Sequence, residues 1–207
     1  MPNAVLDILI PFIRAEQDAS HQIESKMNEK PLILHGTGYL LGQMIRQYAI
    51  PPERQYISRA AWELWRMLTD EDIWHYSYRQ IVKCRSTAPV QIQEYRGNER
   101  MPKIGRSIES GETFVFRDVF HDEHMVPVSK IVQALISLPS VNYESVSVVL
   151  SHLCTCRILK TEDRNLYPKY HRSLSWQAAW QLYTQQGIVV CNRNGTPITE
   201  PKERTIQ

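Results

Sequence analysis

The stretch that most constrains this chain is Thr113-Phe-Val-Phe-Arg-Asp-Val-Phe-His-Asp-Glu-His-Met-Val-Pro127, an apolar run that stops at a proline. Its density of Phe and Val favours an extended strand, and a proline ends such a strand because its nitrogen has no hydrogen to donate to a neighbour. The run therefore delivers Asp122, Glu123 and His124 together at its end. A carboxylate beside an imidazole can place a divalent-metal ligand next to a general base, which is what hydrolysis of phosphodiesters needs.

The rest of the chain sets the frame for that segment. With 207 residues, 43% hydrophobic and 22% charged, it has ordinary globular composition and length for one generous domain or two small ones. A net charge of +2 neither demands nor excludes nucleic acid, because a binding face can be basic while the whole molecule is near neutral. Cys84, Cys154, Cys156 and Cys191 are too few and too scattered for a secreted disulfide framework. With no signal-peptide pattern at the N-terminus, an intracellular, cytoplasmic setting is expected. The apolar run Ala4 to Ile13 is interrupted by Asp7 and Pro11 and is far shorter than the roughly 20 residues of a membrane span.

Helical periodicity dominates residues 1–88: an opening segment to Lys30, a second from Gly38 to Ala49, and a long amphipathic stretch from Glu53 to Arg85 begun by Pro51-Pro52. Thr69-Asp-Glu-Asp72 is expected to split the last of these, with Thr69 or Asp70 as the second N-cap. Its Trp and Tyr residues read as core. At Ala88-Pro89 the character changes. Val90 to Tyr95 alternates as a half-buried strand does, and Phe114 to Phe120 reads as the strand that carries the candidate site. Helices are expected over Val128 to Ile136, with Ser129 as cap, over Tyr143 to Leu153, and over Ser175 to Gln185. Thr161-Glu-Asp163 is a further helix start, and Gly187 to Cys191 a short strand.

Asn142 lies eighteen positions after His124, and His152 ten after Asn142. Glu123-His124-Met-Val-Pro127, then Asn142-Tyr143, then His152-Leu-Cys-Thr-Cys156 resembles the motif order of the HNH group of ββα-metal nucleases. The resemblance covers about residues 113–156. It implies His124 as the general base, Asn142 as the residue that holds the loop orienting that imidazole, and His152 as a metal ligand from a helix. Glu123 would be the second ligand, with Asp122 as its competitor, and one divalent ion (Mg2+, Mn2+, Ni2+ or Zn2+) would be the cofactor. The acid is Glu where the family usually has Asp, and His152 precedes its cysteine pair where the family's ligand follows.

Plainer readings stand beside these. Asn142 is a natural N-cap for Tyr143-Glu-Ser145, His152 on an apolar helix reads as a core residue, and His121 reads as a strand-end side chain with backbone hydrogen bonds. Arg96, Arg100, Lys103 and Arg106, together with Lys169, His171 and Arg172, are candidate phosphate contacts or solvated loop residues. The expected architecture is α+β and mainly helical: a helical region at 1–88, a ββα-metal-like catalytic unit at 89–156, and a helical cap with a polar tail at 157–207. The expected function is metal-dependent hydrolysis of nucleic acid, most plausibly as a DNA endonuclease, with a homodimer as a possible state. The alternative is a non-catalytic helical module that binds a protein partner. Convergence of Glu123, His124 and His152 separates the two.

Overall fold

The structure, a computed structural model, describes residues 3–24, 37–47, 50–95, 105–166 and 176–199. Helix α1 (Asn3–Glu24) buries Leu6, Leu9, Ile10 and Ile13, which recur at the spacing of one helical face, and α2 (Thr37–Gln47) buries Leu41 and Ile45 in the same way. Strand β1 (Gln55–Ser58) runs straight into α3 (Arg59–Leu68), where the Ser58 hydroxyl accepts the Ala61 N–H at 3.1 Å as an N-cap. Next come β2 (Ile81–Lys83), β3 (Val90–Ile92), β4 (Arg106–Ile108), β5 (Thr113–Val115), the single helical turn α4 (Phe116–Val119) and β6 (Phe120–His124). Helices α5 (Val128–Ile136) and α6 (Tyr143–Ser151), strand β7 (Thr155–Leu159), helices α7 (Lys160–Leu166) and α8 (Trp176–Gln185), and strand β8 (Val190–Cys191) complete the order.

The fold is α+β. Its largest sheet has the order β6-β7-β1-β8, with β6 antiparallel to β7, β7 parallel to β1 and β1 antiparallel to β8. The pairs β2·β5 and β3·β4 form separate two-stranded sheets. Helices α1, α2, α5 and α6 share one apolar cluster. A second cluster surrounds Trp65 and includes Ile57, Val82, Ile92, Phe114, Phe116, Phe120 and Cys191. It joins residues from both sides of position 88, so the core is continuous across that point. Among the described residues no helix is long and apolar enough to cross a membrane, and the four cysteines are free and buried.

Several elements differ from the sequence expectation. The stretch from Glu53 to Arg85 is not two helices: Pro51-Pro52 begins only a 3-10 turn, and β1, α3, a second 3-10 turn (Ile73–His75) and β2 follow. Helix α3 does end at Leu68, just before Thr69, but the next cap is Asp72, which accepts the Trp74 N–H at 3.0 Å, rather than Thr69 or Asp70. Helix α5 starts at Val128 behind Pro127, leaving Ser129 inside its first turn. The strand expected from Phe114 to Phe120 is interrupted by α4. Four residues of helix put Phe116 and Phe120 on one side, where their rings stack at 4.9 Å and meet the edge of Trp65 at 6.0 and 5.7 Å. The strands between 89 and 156 pair with different partners, β3 with β4, β5 with β2 and β6 with β7.

Arg157, in the middle of β7, is 6% exposed and is cross-strand from Asp122 on β6. Its Nε and Nη2 donate to the two carboxylate oxygens at 2.6 and 3.0 Å. Nη2 also donates to the Tyr76 carbonyl at 3.1 Å, and Nη1 donates to the Ile73 carbonyl. The guanidinium lies over Trp74 at 4.9 Å and Phe116 at 4.8 Å. Replacing it leaves the Ile73 and Tyr76 carbonyls without their donor, while Asp122 is exposed and stays solvated, so Arg157→Ala is expected to lower unfolding free energy in urea by about 1–3 kcal/mol. A loss below about 1 kcal/mol would show that this network adds little.

Candidate metal centre

Successive side chains on a strand point to opposite faces. On β6 this sends His121 and Glu123 to one face, and Phe120, Asp122 and His124 to the other. His121 Nε2 and Glu123 Oε2 are 2.9 Å apart. Helix α7, which leaves β7 immediately and packs on both β6 and β7, adds Asp163. One potential ligand atom from each of His121, Glu123 and Asp163 lies within 4.8 Å of the other two, and all three residues are half-buried. Among the described residues this is the one group of three or more His, Cys, Asp or Glu side chains gathered closely enough to hold an ion.

The electrostatics of the group suit a cation. Burial pushes the Asp163 carboxyl up, and the Glu123 carboxylate pushes it further, while His121 and Lys160 act against them. The neighbouring Glu162 carboxyl is also raised by burial, although it accepts hydrogen bonds from the Ser58 hydroxyl at 2.6 Å and the Leu159 N–H at 2.8 Å. A divalent ion between Glu123 and Asp163 would offset their repulsion. One imidazole with two carboxylates matches the ligand preferences of Zn2+ or Mn2+, and leaves coordination positions open for water. His121 Nδ1 is buried and has no hydrogen-bond partner among the described residues.

The residues expected from sequence are distributed more widely. Glu123 belongs to this group, whereas Asp122 faces away and is clamped by Arg157. His124 follows Glu123 on the opposite face. Burial holds its pKa below the usual histidine range and Arg46 adds to that effect, opposed by Glu123 and Asp122. Asn142 forms a capping box: its side chain accepts the Ser145 N–H at 2.9 Å while Ser145 Oγ accepts the Asn142 N–H at 3.1 Å. His152 is the C-cap of α6, with burial and Arg54 lowering its pKa. Glu123, His124 and His152 do not form a ligand group among the described residues. Arg106 donates to Glu94 at 3.0 Å and to Glu112 at 3.4 Å. Arg96, Arg100, Lys103, Lys169, His171 and Arg172 lie outside the described residues.

Two members of the group were missed in sequence. His121 stands two residues before Glu123, so strand alternation already puts them on one face. Asp163 carried no such signal, because its approach depends on the long-range pairing of β6 with β7. No family model, curated protein or solved structure matches the chain.

Calorimetric titration of metal-stripped protein with Mn2+ should show one ion per chain. His121→Ala, Glu123→Gln and Asp163→Asn should each weaken it by at least about tenfold, since even outer-shell substitutions cost about 10–100-fold, while His152→Ala leaves it unchanged. The lowered pKa of His124 has a separate consequence. The unfolded chain takes up that proton more readily, so the contribution to stability is full above the usual histidine range and is lost as pH falls towards the folded pKa. Thermal melting should therefore drop from pH 7 to pH 5, and drop less in His124→Gln.

Proposed function

We propose that this chain is a divalent-metal-dependent hydrolase of nucleic-acid phosphodiesters, most plausibly a DNA endonuclease, with its ion held by His121, Glu123 and Asp163. The close grouping of those three side chains carries the reading. Support also comes from their setting: β6 and β7 are antiparallel and α7 follows directly, with ligands on the first strand and on the helix. The chain order there is β6, α5, α6, β7, α7, so the two strands are not consecutive.

The ion would supply Lewis acidity towards a phosphate oxygen and lower the pKa of a bound water. His124, the base that the resemblance implies, lies on the opposite face of β6 from the three ligands, out of reach of a water held by them, and has no part in this proposal. Lys160, three residues before Asp163 on α7 and acting on its carboxyl, is the proposed phosphate contact. Asn142 serves this reading only by fixing the start of α6.

A second reading, a module that binds a protein partner, is favoured by one observation. Ile8 and Phe12, four residues apart on α1, are 56% and 39% exposed, and Leu40 on α2 is 47% exposed.

Plasmid and single-stranded DNA incubated with Mg2+ or Mn2+ should be cleaved, and EDTA should stop the reaction. Glu123→Gln and Asp163→Asn should reduce the rate by about 100-fold or more, while His124→Ala, on the other face of β6, should leave it nearly unchanged. Absence of metal-dependent cleavage on either substrate would leave the partner-binding module as the better reading.

A further inference from the structure

A pocket of about 350 Å³ opens where β7 ends and α7 begins, beside β3 and the residue that follows it. That volume lies in the range of small-ligand sites. Leu64, Ile92, Val119 and Leu159 give it apolar walls. Gly105 keeps one side open: a Cβ there would stand 3.4 Å from the Ile92 carbonyl oxygen and 3.8 Å from Gln93 Cγ. The polar lining is Gln91, Gln93, Lys160 and Thr161. Lys160 is the one charged side chain among the described lining residues, so the pocket disfavours cations and suits a ligand that carries an anion.

Helix α7 joins this pocket to the metal centre. Lys160 precedes Asp163 by three residues, which puts both on one helix face, and its charge acts on the Asp163 carboxyl. Burial alternates from Gln91 to Tyr95, so Gln91, Gln93 and Tyr95 share one face of an extended segment. At its end the Tyr95 ring lies under the Arg164 guanidinium at 5.3 Å, and Arg164 is the residue after Asp163. Gln91 and Gln93 are exposed, and neither amide is paired with another described residue. A glutamine amide presents a donor and an acceptor side by side, the pair that reads the edge of a base. Apolar walls, free amides and one lysine thus match the faces, the edge and the phosphate of a nucleotide.

We propose that this pocket receives the base of the nucleotide whose phosphate meets Lys160 and the ion, so that the substrate is a strand with an unpaired base at the scissile position. A base inside a duplex has stacked faces and a covered pairing edge, and it must leave the stack to enter such a pocket. The position of the phosphate rests on the hydrolase reading, whereas the pocket itself contains none of His121, Glu123 and Asp163.

The test uses the full chain and a 2-aminopurine deoxynucleoside monophosphate, followed by fluorescence anisotropy in Mn2+ and again in EDTA. Deoxyadenylate should displace the probe, and deoxyribose phosphate, which lacks the base, should compete at least about tenfold more weakly. Gly105→Val, which fills the pocket, and the exposed pair Gln91→Leu with Gln93→Leu should each weaken binding at least about fivefold, while His152→Ala leaves it unchanged. Single-stranded DNA should be cleaved at least about tenfold faster than the same sequence as a duplex, which must first pay to unstack the base. Equal competition by the sugar phosphate, unchanged affinity in the Gln91/Gln93 double variant, or equal rates on the two DNA forms would overturn the inference. Nucleotide binding that survives in EDTA without any metal-dependent cleavage would uphold the pocket and remove the hydrolase reading. Metal-dependent cleavage without nucleotide binding would overturn the pocket and leave that reading in place.

Discussion

The guanidinium of Arg157 is the point on which the other features depend. It sits inside β7, spans to Asp122 on β6, donates to the carbonyls of Ile73 and Tyr76, and is flanked by the rings of Trp74 and Phe116. Removing so many donors from water is costly unless each finds an acceptor, and here Nε and both terminal nitrogens do. The arrangement ties the sheet to the Trp65 cluster. It also fixes the face of β6 that carries Asp122. A slip of one residue between β6 and β7 would exchange the two faces of the strand and bring either His121 or Glu123, according to its direction, opposite the guanidinium.

That register has a chemical result on the other face. With Asp122 committed to Arg157, the remaining acid of the strand, Glu123, is left beside His121, and α7 brings Asp163 to them. Burial raises the cost of ionising Asp163 and the like charge of Glu123 adds to it, as its elevated pKa reflects. Structural and candidate functional carboxylates are thus separated by strand alternation alone: neighbouring residues Asp122 and Glu123 have opposite surroundings because the pleat sends them to opposite sides.

Much of the local structure was legible. The apolar spacing of Val128 to Ile136 and of Tyr143 to Leu153 gave both helices, the second ending two residues earlier at Ser151, and Asn142 was readable as a cap because its short side chain suits the first orphan N–H groups. The alternation from Val90 located β3. The break at α4 was not legible, since the helical turn from Phe116 to Val119 is what brings Phe116 and Phe120 together against the edge of Trp65, some fifty residues away in sequence. Strand β1 was hidden for a similar reason: only pairing with β7 and β8 makes Gln55 to Ser58 extended. The site was half legible. Glu123 stood out, but the adjacency of His124 in sequence drew attention away from His121, its true neighbour on the strand face.

The most direct measurement is anomalous diffraction from crystals of the chain soaked in Mn2+. A single strong peak bounded by His121, Glu123 and Asp163, lost in Asp163→Asn crystals, is the expected result. A peak at His124 or His152, or no peak at saturating Mn2+, would contradict a metal centre on this face of β6.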